Sequence, residues 1–214
     1  WVLDGHVADV ILVVAQGGEG LSLYRVEKGA AGLSASLVPT LDTTRKLAHL
    51  EFASTPATLI SSGDQTENLA RVLAMTQSAL AAEQVGGAQK CLETATEYAK
   101  TRLQFGRPIG SYQAIKHKCA DMLVEVELAK SAAYAACFAA AEQADDFLEA
   151  AALAKAYCSE AYFHAAAENI QIHGGMGFTW ELPAHLYFKR AKASDLFMGD
   201  AAHHRERYAD LIGL

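Results

Sequence analysis

Clusters of positive charge are missing from this sequence. Its 18 Lys and Arg stand against 25 Asp and Glu, for a formal charge of -7, and without a basic patch there is no electrostatic footprint for nucleic acid. Long apolar runs are missing too. None approaches the ~20 residues that a membrane helix needs, so neither nucleic acid nor a membrane is an expected partner. Cysteine is sparse and scattered: Cys91, Cys119, Cys137 and Cys158 form no CxxC pair. Each falls in helix-like sequence, where a free thiol behaves as a small hydrophobe, and the spacing argues against zinc or a disulfide framework. A reducing, cytoplasmic compartment fits that usage. There is no nucleophile elbow, P-loop, HExxH pair or dinucleotide GxGxxG, and no internal repeat or low-complexity linker. The first residue is Trp1, not a Met or a secretory leader. It reads as the interior of a strand, so a preceding portion is expected.

What is present divides into sheet and helix. Val10–Val14 is a β-branched run bounded by Asp9 and Gly17-Gly18, the pattern of a buried strand. Leu21–Glu27 alternates after a Gly-rich turn and predicts a hairpin with it. Ala48, Leu50 and Phe52 alternate with His49 and Glu51, a third strand with one wet face that ends at Pro56. About 55 residues of such sheet bury little apolar surface by themselves. A partial antiparallel β-domain over 1–61 and a helical domain over 62–214 follow.

The helical part opens at Ser62 or Asp64 and runs without proline from about Thr66 to Leu103, with Leu69, Leu73, Leu80, Val85, Ala88, Leu92 and Ala95 on one stripe. At ~1.5 Å per residue that is over 50 Å of helix. Gly86-Gly87 costs ~1 kcal/mol per glycine in mid-helix unless something packs closely against it. Ser111 can cap a second helix to about Gln143. Asp146 and Glu149 have capping-box spacing for a third, alanine-rich helix to about Gln171. Pro183 suits the first turn of a fourth, which Met198-Gly199-Asp200 interrupts before a last helical stretch. Long helices with short connections predict an antiparallel four-helix bundle, so the fold class is α+β.

Two features can carry chemistry. Arg102 stands where the first helix ends, beside Gln104-Phe105-Gly106-Arg107-Pro108. A guanidinium there can hold phosphate oxygens bidentately or simply complement the helix dipole. Gln171-Ile172-His173-Gly174-Gly175-Met176-Gly177-Phe178 places three glycines in four positions, which lets backbone adopt positive φ and approach an anion through free N–H groups. His203-His204 has no partner at metal spacing and reads as surface. Glu83 and Asp200 are possible acid–base groups without an identifiable partner in the sequence.

The order Glu83-Gln84-Val85-Gly86, then Tyr98-Ala99-x-x-Arg102-x-Gln104-Phe105-Gly106-x-Pro108, Gln113-Ala114-Ile115-x-His117, Ala120-Asp121-Met122 and the glycine loop after Gln171 resembles the acyl-CoA dehydrogenase family. The likeness runs over essentially the whole chain, beginning inside that family's β-domain; its N-terminal helical domain and first strands are absent from this sequence. The resemblance implies FAD bound between subunits. It places Arg102, Gln104 and Phe105 at the pyrophosphate and adenine side of a flavin lying mainly on a neighbouring chain. Tyr112, Gln113 and Ile115 would line the same region, completed by Gln171 and the backbone at His173, Gly174 and Gly175.

Departures from the family pattern carry equal weight. Met198 stands where the family's usual catalytic glutamate is expected, and the alternative place, near Thr76, also lacks a carboxylate. Leu3 replaces a flavin-facing threonine, and Asp200 replaces the threonine that follows the glycine in the family pattern. The pattern is that of the non-catalytic subunit of a heterotetrameric, actinobacterial sterol-degrading acyl-CoA dehydrogenase, with the base and most of the FAD on a homologous catalytic subunit that also takes the acyl-CoA. A flavin monooxygenase of the same fold and a flavin-free structural subunit are the alternatives.

Overall fold

The computed structural model describes residues 1–214, which form two compact units, Trp1–Val72 and Leu73–Leu214. The first unit contains two three-stranded antiparallel sheets. One is β1 (Val2–Leu3), β5 (Leu47–Phe52) and β4 (Leu33–Val38), with β5 central. The other is β2 (Val10–Gly17), β3 (Gly20–Glu27) and β6 (Thr58–Leu59), with β3 central. The expected hairpin is β2–β3, in register from Val10↔Glu27 to Gly17↔Gly20. Its turn is tied down by Asp64, whose Oδ1 accepts from Leu21 N at 2.8 Å.

Strand β4 was not foreseen, although Leu33, Ala35 and Leu37 alternate with Ser34 and Ser36; it pairs with β5 from Leu33↔Phe52 to Val38↔Leu47. The buried-strand reading of Val10–Val14 is also corrected. Only Ile11 is buried there, while Val10, Leu12 and Val14 stay exposed on an edge strand. Within this unit the buried apolar residues are Ile11, Val26 and Ala48, a small core, as the short sheet length dictates.

The remainder is helical. Helix α1 (Thr66–Thr101) crosses the boundary between the units. After it come a two-residue ribbon, β7 (Leu103–Gln104) against β8 (Arg107–Pro108), then α2 (Gln113–Glu142), α3 (Phe147–His173), α4 (Ala184–Leu196) and α5 (Ala201–Leu211). Alanines keep the helices close. Cys91, Ala95, Met122, Val126, Tyr162 and Ala165 share one buried cluster, and Ala81, Ala129, Ala133, Ala154 and Cys158 another.

Gly87 earns its place in mid-helix: a Cβ there would overlap the Tyr162 ring, whereas Gly86 faces open space. The expected side-chain caps do not form. Ser111 Oγ donates to Pro108 O instead of capping α2, and neither α2 nor α3 has a side-chain cap hydrogen bond. Asp146 sits at φ -86, ψ 14, outside the extended conformation that aims a cap side chain at the helix N–H groups.

Candidate functional site

Two corners of the helical unit carry the features singled out in the sequence. The first is built where α1 ends. Arg102 N closes the last turn on Tyr98 O at 2.9 Å, and Ile109 N returns to Arg102 O at 2.8 Å. The ribbon therefore folds back onto the helix terminus and satisfies one of its orphan carbonyls. Gln104-Phe105-Gly106-Arg107 forms a two-residue hairpin with φ 55 at Phe105 and φ 78 at Gly106, the sign that a type I′ turn demands at both central residues. A left-handed Phe is costly, of order 1–2 kcal/mol, and the residue is 92% exposed. Tyr112 braces the ribbon: its hydroxyl donates to Gln104 O at 3.2 Å, and the Arg107 guanidinium lies 4.0 Å above its ring. Gly110 lets this segment approach α1, since a Cβ there would press on Ala99 O.

Facing the ribbon, α3 ends in the glycine loop. Tyr98, Arg102, Gln104 and Ile109 line an open hollow of about 420 Å³ together with Ile172, His173, Gly174, Gly175 and Met176. His173 is buried and stacked on Tyr98, with ring centroids 4.2 Å apart. Its Nδ1 lies 2.7 Å from Asn169 O; a carbonyl only accepts, so Nδ1 carries the proton. The Arg102 guanidinium makes no hydrogen bond or ion pair within the chain, and both Gly174 and Gly175 have open space beside their Cα atoms. One expectation is corrected. Only Gly174 of the three glycines has positive φ (+60), and its N–H is already given to Gln171 O, so it is not free for an anion.

Of the ten binding residues inferred from the resemblance, Arg102, Gln104, His173, Gly174 and Gly175 meet at this hollow. Tyr112 supports it from behind. Phe105, Gln113 and Gln171 are exposed outside it, and Ile115 packs against the buried cluster around Met122.

The second corner is the break between α4 and α5. Met198 (φ 63) and Gly199 (φ 98) turn the chain back in left-handed conformations, and two buried basic residues fix them. Lys155, fully buried in α3, donates from Nζ to Ser159 Oγ, Asp195 O and Gly199 O, each at 3.0 Å. His204, also fully buried, sits 2.9 Å through Nε2 from Met198 O; the proton is on Nε2, and Nδ1 is left buried without a partner. Burial pushes the His204 pKa down to about 4, with the charges of Lys155, His203 and Arg207 adding to it. The surface reading of this histidine is therefore overturned; only His203 is exposed.

Asp200 caps α5 by accepting from His203 N at 2.9 Å, and that bond holds its carboxyl below the usual range. Glu83 is paired with Arg190, Nε to Oε1 2.9 Å. Both supposed acid–base groups thus have structural partners. The break presents Met198, half-buried, and Thr76 is an exposed residue of α1. No group of three or more His, Cys, Asp or Glu is placed to hold a metal ion.

Lys155 and His204 were not anticipated. Lys155 had a signal, a lone charge on the buried face of an alanine run, but its partners are backbone carbonyls, which sequence patterns do not reveal.

Residues 67–212 match the family model described as acyl-CoA dehydrogenase, C-terminal domain. The chain belongs to the acyl-CoA dehydrogenase family. It is 41% identical to acyl-CoA dehydrogenase IpdE2 of Mycobacterium tuberculosis over 194 residues, 91% of this chain and 54% of that protein. Among solved structures it is similar to the steroid ACAD Tcur3481-Tcur3483, with TM-score 0.87 and 33% identity over 96% of this chain and 55% of that one. It is also similar to the ChsE4-ChsE5 complex of Mycobacterium tuberculosis, with TM-score 0.89 and 28% identity over 98% of this chain and 57% of that one. The chain spans about half the length of the curated relatives it matches. No helix is long and apolar enough to cross a membrane.

Proposed function

We propose that this chain is the non-catalytic partner in a heteromeric, cytoplasmic, FAD-dependent acyl-CoA dehydrogenase, organised as a β-domain over 1–61 and a helical domain over 62–214. The observation that carries the proposal is the contrast at the two corners. An unpaired guanidinium, Arg102, faces an open hollow, while the place of the family's base holds Met198 with its backbone clamped and no carboxylate free to replace it.

The hollow fits the diphosphate and adenine end of a flavin in charge, in its open glycine backbone and in its stacked aromatic floor. Arg102 would hold phosphate oxygens, with Gln104 and the backbone at His173, Gly174 and Gly175 beside it, while Phe105, Tyr112, Gln113, Ile115 and Gln171 would complete the region with a neighbouring homologous chain. The flavin, when bound, supplies the acceptor for a hydride from the β-carbon of an acyl-CoA. Proton abstraction from the α-carbon belongs to that neighbouring chain: methionine takes no proton, and a positioned base is worth ~10²–10⁴-fold.

Co-expression with a homologous dehydrogenase chain, followed by flavin stoichiometry, tests this. Half a flavin per chain is expected, and Arg102→Ala removes a charge-assisted bond worth ~1.5–3 kcal/mol, so flavin is lost on dilution or dialysis. A homodimer of this chain that binds FAD and oxidises an acyl-CoA would overturn the reading. Oxygen consumption without a CoA thioester would move the chain to the flavin monooxygenases. Unchanged flavin content in Arg102→Ala would make it a scaffold.

A further inference from the structure

Three histidines of the helical unit are buried: His173, His185 and His204. Their nitrogens fare differently. His185 and His204 each keep an Nδ1 sealed inside the protein without a partner. His173 seals none. Its Nδ1–H is given to Asn169 O at 2.7 Å, while Nε2 has no partner in the chain and is not closed off from solvent. The residue belongs to the wall of the Arg102 hollow, so the open space beside that nitrogen is the space a ligand would fill.

The ring is also held in place. Tyr98 stacks on it with centroids 4.2 Å apart and planes 28° from parallel, and the bond to Asn169 O fixes its rotation. The turn that follows is packed close: a Cβ on Gly177 would stand 2.7 Å from Ile170 O and 3.3 Å from His173 Cβ. An imidazole fixed in this way cannot exchange the nitrogen it offers. Because Nδ1 donates to a carbonyl, Nε2 of the neutral ring presents a lone pair. Arg102 offers the opposite. A guanidinium has donors alone and takes phosphate oxygens, whereas a lone pair repels them and takes an N–H or O–H group. No carboxylate lines the hollow to compete for that group.

We infer that His173 Nε2 recognises the nucleoside part of the ligand, accepting a hydrogen bond from a base amino group or a ribose hydroxyl while Arg102 holds the phosphates. The inference rests on the reading of the hollow as a diphosphate and adenine site, and it gives a side-chain role to a residue placed there for its backbone alone. A donor at Arg102 and an acceptor at His173 also set direction, since a nucleotide satisfies both in one orientation only. A ligand made of phosphate alone would engage Arg102 and leave His173 idle.

The test uses the full chain purified with a homologous dehydrogenase chain and freed of flavin, titrated calorimetrically at about pH 8.5, above the ordinary imidazole value of about 6.5. The probes are ADP, purine riboside diphosphate (which lacks the 6-amino group), 2′-deoxy-ADP, 3′-deoxy-ADP and inorganic pyrophosphate. One of the three nucleotide analogues should bind about five- to tenfold more weakly than ADP, the loss of a single neutral hydrogen bond, and its identity names the donor. His173→Phe, which keeps a ring against Tyr98, should weaken ADP by the same factor and bind that analogue as well as ADP. His173→Gln, whose amide oxygen restores an acceptor, should recover part of the discrimination. Pyrophosphate should be indifferent to both His173 variants and should lose its affinity in Arg102→Ala. If the unsubstituted complex binds all three analogues as it binds ADP, the inference is overturned and the flavin reading stands. Weaker pyrophosphate binding in His173→Phe would also overturn it, by making the residue a phosphate contact. Failure of every probe to bind would overturn both readings together.

Discussion

The two corners of the helical unit invert the usual relation between charge and exposure. At the end of α1, Arg102 lies at the surface with no partner in the chain. At the α4–α5 break, Lys155 and His204 lie fully inside and hold main-chain carbonyls. Exposed charge without a partner contributes little to stability and is available for a ligand. The buried charge of Lys155 is tolerated because its hydrogen-bonding is met, and it fixes what it touches, while His204 stays neutral. One corner therefore reads as recognition and the other as architecture.

That contrast breaks most visibly at Lys155. Lys155→Met strands the carbonyls of Asp195 and Gly199 in the interior, whereas the Ser159 hydroxyl keeps Gln84 and the Lys155 carbonyl; at ~1–3 kcal/mol for each unsatisfied group the expected loss is about 2–6 kcal/mol, read as a lower urea midpoint at constant slope. Arg102→Met should stay within ~0.5 kcal/mol of the parent; an equal loss in both variants would erase the distinction.

Glycines give a smaller effect of the same sign. A methyl at Gly199 meets the His203 ring at φ 98, whereas Gly175 has open space and no positive φ. Gly199→Ala should cost about 2 kcal/mol and Gly175→Ala almost nothing. The latter should still weaken flavin retention by narrowing the hollow, which thermal melts and cofactor titration would separate.

The mildest probe is pH. The folded chain keeps His204 neutral down to about pH 4, while the unfolded chain takes up its proton near the ordinary value of 6.5. Stability from this group is intact above about 6.5 and is lost progressively as pH falls toward about 4, because the unfolded state binds the extra proton. His204→Asn should flatten that part of the stability profile. A slope unchanged by the substitution would assign it to other groups.

Much of this was legible in the residues. Helical stripes located α1 through α5 to within a few positions, because an amphipathic or alanine-rich helix declares its period locally. Arg102 and the loop after Gln171 were each recognisable, only the family resemblance joined them, and both line one hollow. What stayed hidden depended on distant backbone. Met198 O, the partner of His204, has no sequence signature, so a histidine pair looked like surface. Asp146 and Glu149 had the spacing of a capping box, but spacing does not set φ and ψ, and the box is not made. The exposure of Val10, Leu12 and Val14 was equally invisible, because apolar content alone does not say whether a second layer covers a strand.

Lys155 has a consequence for the order of assembly as well. Its ammonium can leave water only once the carbonyls of Asp195 and Gly199, 40 and 44 residues further along the chain, are in position to receive it. The middle of α3 therefore cannot dehydrate ahead of the junction that follows α4. Closure of the bundle around that lysine becomes one concerted late event, and a nascent chain that stops short of Gly199 is left with an open seam in its core.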